Sequence, residues 1–325
     1  MPVTPLRFPL RSGARGVPRR AVLRAAPLGL GVLAAGCSSR DGPPLAVAAG
    51  EPGGFYVEFA ELLVRQLQAR GIATRVAETG GSVDNVVRVG DGSAALGVAL
   101  ADIVLIARRG EDPFPAPVDL RALGRVYENY MQLVVRADDP AEDVADLAGR
   151  RVSLGAPGSG AAVFGDRLLD ATGIAALVTR RPLREAITAL ETGTTDALLW
   201  SGGVPTPALA ELAARRPIRL IPLAQHLPRL RARHGSVYRP VLVPQGAYGT
   251  STAVPTVGVA NLLVATAALP NDLAGAIART LVGSAPALVP AAALGTQYLD
   301  QRSLIGTGDV PLHPGAAAAY RDLHG

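Results

Sequence analysis

The chain has 325 residues, 32 basic against 27 acidic side chains and a formal net charge of +5. Every base is an arginine, and without lysine there is no P-loop, no Ser-x-x-Lys hydrolase site and no Schiff-base amine. The single cysteine, Cys37, excludes an intramolecular disulfide framework and a cysteine-built zinc or iron–sulfur cage.

The positive charge is concentrated at the start. Residues 1–36 hold six arginines and no acid, then an apolar stretch from Ala25 that ends in Ala34-Ala35-Gly36-Cys37. A basic region, an apolar run of about 12 residues and small residues before a cut describe an export signal peptide, too short to span a bilayer. The small residues before Cys37 resemble a lipobox, in which the cysteine is acylated. Pro18-Arg19-Arg20-Ala21-Val22-Leu23-Arg24 resembles a twin-arginine export motif. Without residues 1–36, 26 arginines face 27 acids, so the exported part carries −1. The nucleic-acid footprint leaves with the leader, and no RRM, zinc-finger or basic-helix pattern replaces it.

Residues 37–44 are small and polar and read as a tether. The rest alternates strands and helices. Strands are expected at 45–49, 74–78, 95–99, 121–126 and 132–136, with helices at 56–69, 83–89 and 102–108. A second set opens with 144–147 and 151–155. Helices follow at 161–171, 185–191 and 207–214, with strands at 197–200 and 218–223. The apolar run 256–265 reads as a strand crossing back to the first half. Helices at 272–282 and from Pro314 complete the chain. The length suggests two lobes, and the alternation an α/β architecture of mainly parallel sheets with covered faces.

Four junctions carry glycine where a strand ends and a helix begins: Gly53-Gly54-Phe55-Tyr56, Gly80-Gly81-Ser82-Val83-Asp84-Asn85, Ala156-Pro157-Gly158-Ser159-Gly160 and Trp200-Ser201-Gly202-Gly203. Helix starts offer free N–H donors and partial positive charge, and in open α/β sheets such turns gather where ligands bind. Any one of them is a capping turn. Two in each half, facing one another, would make a site for a small anion.

These residues resemble the TAXI family of solute-binding subunits of TRAP transporters. The resemblance rests on Gly53–Tyr56, on Glu78-Thr79-Gly80-Gly81-Ser82-Val83-Asp84-Asn85, and on Gln132-Leu133-Val134-Val135-Arg136-Ala137-Asp138. It continues through Asp146–Val152, Gly155–Gly160 and Val310-Pro311-Leu312-His313-Pro314-Gly315. It runs in order from about residue 45 to the end. It implies a two-lobed periplasmic-binding-protein fold (type II-like) with two crossing hinge segments, near 133–135 and 257–263. Lobe 1 would comprise 45–133 and 264–325, and lobe 2 would comprise 134–263. It also implies binding of an organic anion for a TRAP-type membrane permease, no cofactor, no metal and no catalysis. Carried over residue by residue, the ligand contacts would be Gly54, Phe55, Tyr56, Ser82, Asn85, Ser159, Gly160, Trp200 and Ser201. Tyr56 and Trp200 would wall the ligand, and Ser82, Asn85 and Ser159 would bond its carboxylates. Ala99-Leu100-Ala101-Asp102 lacks two polar groups of the family's common run and keeps its acid, and Ala161 stands for a common Thr, both of which make the pocket more apolar.

Other residues read as structural. His226, His234, His313 and His324 lack metal-ligand spacing, and His313 reads as positioning the last helix. No serine fits Gly-x-Ser-x-Gly. Asp102 reads as a helix N-cap. Arg180-Arg181 and Arg215-Arg216 read as solvated faces, with permease docking as the alternative. The expected protein is a monomeric lipoprotein on the outer face of the cytoplasmic membrane. A sensory protein serving a membrane kinase and a secreted α/β enzyme are the other readings.

Overall fold

The computed structural model describes residues 43–324. The leader, Cys37 and the tether through residue 42 lie outside the described residues. The first part of the chain forms β1 (Leu45–Ala48), α1 (Phe55–Gln68), β2 (Thr74–Ala77), α2 (Ser82–Gly90), β3 (Leu96–Leu100) and α3 (Ala101–Arg109). The long strand β4 (Leu120–Arg136) leads to β5 (Arg151–Ser153), α4 (Gly160–Thr172), β6 (Leu177–Thr179), α5 (Leu183–Glu191) and β7 (Ala197–Gly202). Then come α6 (Pro207–Arg215), β8 (Ile218–Ile221), α7 (Leu227–His234) and β9 (Arg239–Val243). The return strand β10 (Val254–Thr266) precedes α8 (Asn271–Gly283), α9 (Gln301–Leu304) and α10 (Pro314–His324).

The helices form where apolar residues repeat at helical spacing. In α1, Phe55, Phe59, Leu63 and Leu67 recur every four residues and are all buried. Burying a side chain of that size stabilises the fold by about 1.5–3 kcal/mol. They pack with Ile277 and Leu281 of α8 and Ala316 and Tyr320 of α10 in one core cluster. The Tyr320 hydroxyl donates to Leu123 O at 2.7 Å, tying the last helix to β4. His313 sits just before that helix, and its Nδ1 accepts from Gly315 N at 3.2 Å. The helix α4 is capped by Ser159, whose Oγ accepts from Ala162 N.

The strand order is β2-β1-β3-β10-β4-β7-β5-β6, with β8 against β4 and β9 against β10. Two α/β lobes result, joined through β4 and β10. The pairing of β4 with β10 ends at Tyr130, where β4 takes up β7. Facing it, Gly258 is where β10 passes from β4 to β9.

Two expectations are corrected. The strands expected at 121–126 and 132–136 are one strand of 17 residues. Glu128, Asn129 and Gln132 look like a polar break in the sequence, yet each is only 1% exposed. Their backbone stays in the ladder while their side chains find buried partners. Nor is the sheet mainly parallel. The pairs β1–β2, β1–β3, β5–β6 and β5–β7 are parallel, but β10 runs antiparallel to β3, β4 and β9, and β4 antiparallel to β7 and β8. Two strands that shuttle between lobes in opposite directions impose this. The expected alternation also passed over the short exposed strands β6 and β9 and the helix α7.

Candidate functional site

All four glycine turns meet at one cleft between the lobes. Eight of the nine residues expected to contact ligand line it: Gly54, Phe55, Tyr56, Ser82, Ser159, Gly160, Trp200 and Ser201. Asn85 stands behind the wall. Its Nδ2 donates to Val98 O at 2.7 Å and to Ala49 O, and its Oδ1 accepts from Thr79 Oγ1 at 2.5 Å. With both amide functions engaged, Asn85 holds the α2 start against β1 and β3.

The floor is a continuous chain of hydrogen bonds. Leu100 N donates to Ser82 Oγ at 3.2 Å, and Ser82 Oγ lies 3.0 Å from the Tyr56 hydroxyl. Tyr56 donates to Asn261 Oδ1 at 2.5 Å. Asn261 Nδ2 donates to Asn129 Oδ1 at 2.8 Å, and Asn129 Nδ2 to Ser201 Oγ at 3.0 Å. The chain crosses from β3 and α2 through β10 and β4 to β7. Burial pushes the Tyr56 phenol well above its ordinary range, so it stays a neutral donor. Asn129 and Asn261 were not singled out in the sequence. Their signal was present: an asparagine inside the otherwise apolar run 256–265 needs a buried partner.

The walls are aromatic. Trp200 is 7% exposed, and its indole N–H is taken by Thr206 Oγ1 at 3.0 Å, so it offers the cleft its apolar ring rather than a donor. Phe55 and Tyr56 pack on the buried Tyr127, with ring centroids 4.9 and 6.2 Å away. The lobes touch directly across the opening. Val83 N donates to Gly158 O at 3.1 Å, and Leu183 N, at the start of α5, donates to Glu51 Oε2 at 2.6 Å. A side chain at Gly160 would place its Cβ 2.4 Å from Leu100 Cδ1, so any other residue here would force Leu100 to move. Gly81 has φ of 118°, which also favours glycine. With the lobes in contact the cleft encloses about 30 Å³, room for little more than a water molecule. A molecule the size of an organic acid enters only when the lobes part.

On the other side of β10 lies a cavity of about 560 Å³ lined by polar and charged side chains. Asp102 is at its edge, and its role differs from the N-cap expected. Leu100 is the N-cap of α3, and Asp102 Oδ2 accepts from Arg167 Nη1 and from the Tyr238 hydroxyl, both at 2.9 Å. This network joins α3 of one lobe to α4 and the β9 approach of the other. Among the described residues no group of three or more His, Cys, Asp or Glu is placed to hold a metal ion.

Two α/β lobes joined by long strands over a cleft define a two-lobed periplasmic-binding-protein fold. The chain belongs to the NMT1-like family, whose pattern it matches over residues 47–323. Among solved structures it is similar to a protein of Bordetella bronchiseptica, at 16% identity over 87% of this chain and 99% of that one, with a TM-score of 0.56. It is also similar to the arginine-, lysine-, histidine-binding protein ArtJ of Geobacillus stearothermophilus, at 9% identity over 75% of this chain and 90% of that one (TM-score 0.49). The periplasmic binding protein BugD matches at 16% identity over 73% of this chain and 81% of that one (TM-score 0.49). At 16% identity the likeness to the Bordetella protein is one of fold.

Proposed function

We propose that this protein is an extracytoplasmic solute-binding lipoprotein that captures a small organic carboxylate between its lobes and delivers it to a TRAP-type membrane permease. The observation that carries the reading is convergence: eight residues spread from Gly54 to Ser201 in sequence line one cleft. Membership of the NMT1-like family and the ordered resemblance to TAXI subunits support it.

In this reading lobe 1 (45–133 and 264–325) and lobe 2 (134–263) rotate about β4 and β10, exposing the cleft and then closing on the solute. Ser159 keeps its own proton for a ligand oxygen, because its Oγ accepts from Ala162 N. The starts of α1 and α4 add backbone donors and partial positive charge. Trp200 and Tyr56 cover the apolar part of the solute. The protein binds and releases without chemistry, held to the membrane by acylated Cys37.

A thermal-shift screen of the exported domain against organic acids and amino acids tests the reading. At least one carboxylate should raise the melting temperature by several degrees at millimolar concentration. A flat profile across all of them would sink it. Mass spectrometry of small molecules that co-purify with the protein then names the solute.

A further inference from the structure

Glu51 lines the cleft, and among the described residues it is the only ionisable acid or base that does so besides the tyrosine phenol. Among the described residues no arginine or histidine lines it, and Arg184 reaches Gly53 without lining the cleft. The carboxylate is not idle. Oε2 accepts from Leu183 N of the opposite lobe at 2.6 Å, whereas Oε1 is buried and meets no donor. Burial pushes the Glu51 carboxyl above its ordinary value, with Glu185 adding repulsion against the bond from Leu183 N.

A negative group held next to aromatic walls, with no base lining the cleft beside it, is a poor host for a dianion. Each additional negative charge on a solute would be repelled at close range in a medium that screens it weakly. The same arrangement suits a cation. An ammonium group beside Oε1 would supply the missing donor and gain the charge–charge attraction in a cleft also lined by Tyr56 and Trp200.

We infer that the solute carries an ammonium group as well as a carboxylate, an amino-acid-like zwitterion, and that Glu51 is the residue that selects it. The inference deepens the solute-binding reading and rests on it. In this reading the two functions meet different groups of the cleft. The carboxylate meets the neutral donors of Ser159, Ser201 and the helix starts, and the ammonium meets Glu51. Because Glu51 Oε2 also bridges to α5, a ligand that keeps this carboxylate ionised holds the two lobes together. Recognition of the amine thus reinforces the contact that closes the lobes. The departures from the TAXI pattern agree with this, since loss of polar groups at Leu100, Ala101 and Ala161 leaves fewer donors for a second carboxylate.

The test is calorimetric titration with matched pairs: L-glutamate against glutarate, L-leucine against 4-methylpentanoate, and the other amino acids against their deaminated counterparts. At least one amino acid should bind about 100-fold more tightly than its deaminated partner, the size expected for a buried charge pair. Glu51→Gln should shrink that ratio to about 10-fold or less, while Glu51→Asp, which keeps the charge on a shorter stem, should retain part of it. Thermal unfolding of both variants confirms that each is folded. A carboxylate that binds equally well with and without its amine would overturn the inference and leave the solute-binding reading intact. An amino-acid preference untouched by Glu51→Gln would remove Glu51 from its role. Binding of no carboxylate in either series would end both.

Discussion

Replacing Tyr56 by phenylalanine removes one oxygen from the middle of the hydrogen-bond chain and almost no apolar contact. The ring keeps its place against Tyr127, 6.2 Å away, and the residue is 8% exposed. What changes is Asn261. Its Oδ1, buried in β10, loses the proton it accepts at 2.5 Å, and no other side chain donates to it among the described residues. Ser82 loses a partner as well, although Leu100 N still donates to its Oγ at 3.2 Å. Leaving one buried acceptor unsatisfied costs about 1–3 kcal/mol. For a domain of this length about 2 kcal/mol corresponds to a fall in melting temperature of roughly 3–4 °C. Thermal unfolding followed by circular dichroism measures it directly, with Phe59→Leu as a packing control on the same helix. A Tyr56→Phe variant that melts within one degree of the parent would mean that the chain contributes nothing to the closed structure.

Four further outcomes are expected. Asp139 is held below the ordinary aspartate value of 3.8 chiefly by its bonds to Arg150, the shortest at 2.5 Å, and its side chain is 2% exposed. A depressed folded value means that this contribution is complete above 3.8 and is lost as pH falls through the lower folded value. Asp139→Asn should thus destabilise by about 2–3 kcal/mol at neutral pH and flatten the acid limb of the stability curve, as denaturant titrations across pH would show. Asp102→Ala strands Arg167 and the Tyr238 hydroxyl, and should destabilise by about 3–5 kcal/mol in the same assay; a loss under 1 kcal/mol would argue against a network joining the lobes. Trp200→Ala removes the cleft wall and should weaken solute binding by about 30-fold or more, read by calorimetry, with a smaller effect counting against burial of the solute beneath the ring. Cys37→Ser in the full-length protein should release it from the membrane fraction, and retention there would refute lipid anchoring.

The helix starts were legible because glycine and serine mark them locally. Gly54, Ser82 and Ser159 each stand at the junction where the sequence placed them, and the motif order put them on both sides of one cleft. The polar interior was not legible. Glu128, Asn129 and Gln132 break an apolar pattern, and a local reading interrupts the strand there. Only tertiary partners such as Ser201 and Tyr248 make their burial tolerable. Asn85 sits in the right motif, but no motif tells whether an amide points into a cleft or back toward Ala49 and Val98. Glu51 was overlooked for the opposite reason. It lies in a turn between glycines, where an acid normally faces water, and the approach of α5 is what encloses it. Asp102 was misassigned because an acid at the start of a helix commonly caps it. Arg167 and Tyr238, far away in sequence, engage it instead.

The chain of bonds along the cleft floor also has a polarity. Tyr56 gives its proton to Asn261, so the proton between Ser82 and Tyr56 must come from Ser82. From the Leu100 amide onward every link then donates in the same sense, through both asparagines to Ser201. Bonds aligned head to tail polarise one another. The Ser201 hydroxyl, already accepting from Asn129, has its own proton left to give. The floor behaves as a one-way row of dipoles that begins at a main-chain N–H in one lobe and emerges as a sharpened hydrogen in the other. Reversing a single amide would break the row at two points, so the orientation is set collectively by five side chains and not by the residue that meets the solute.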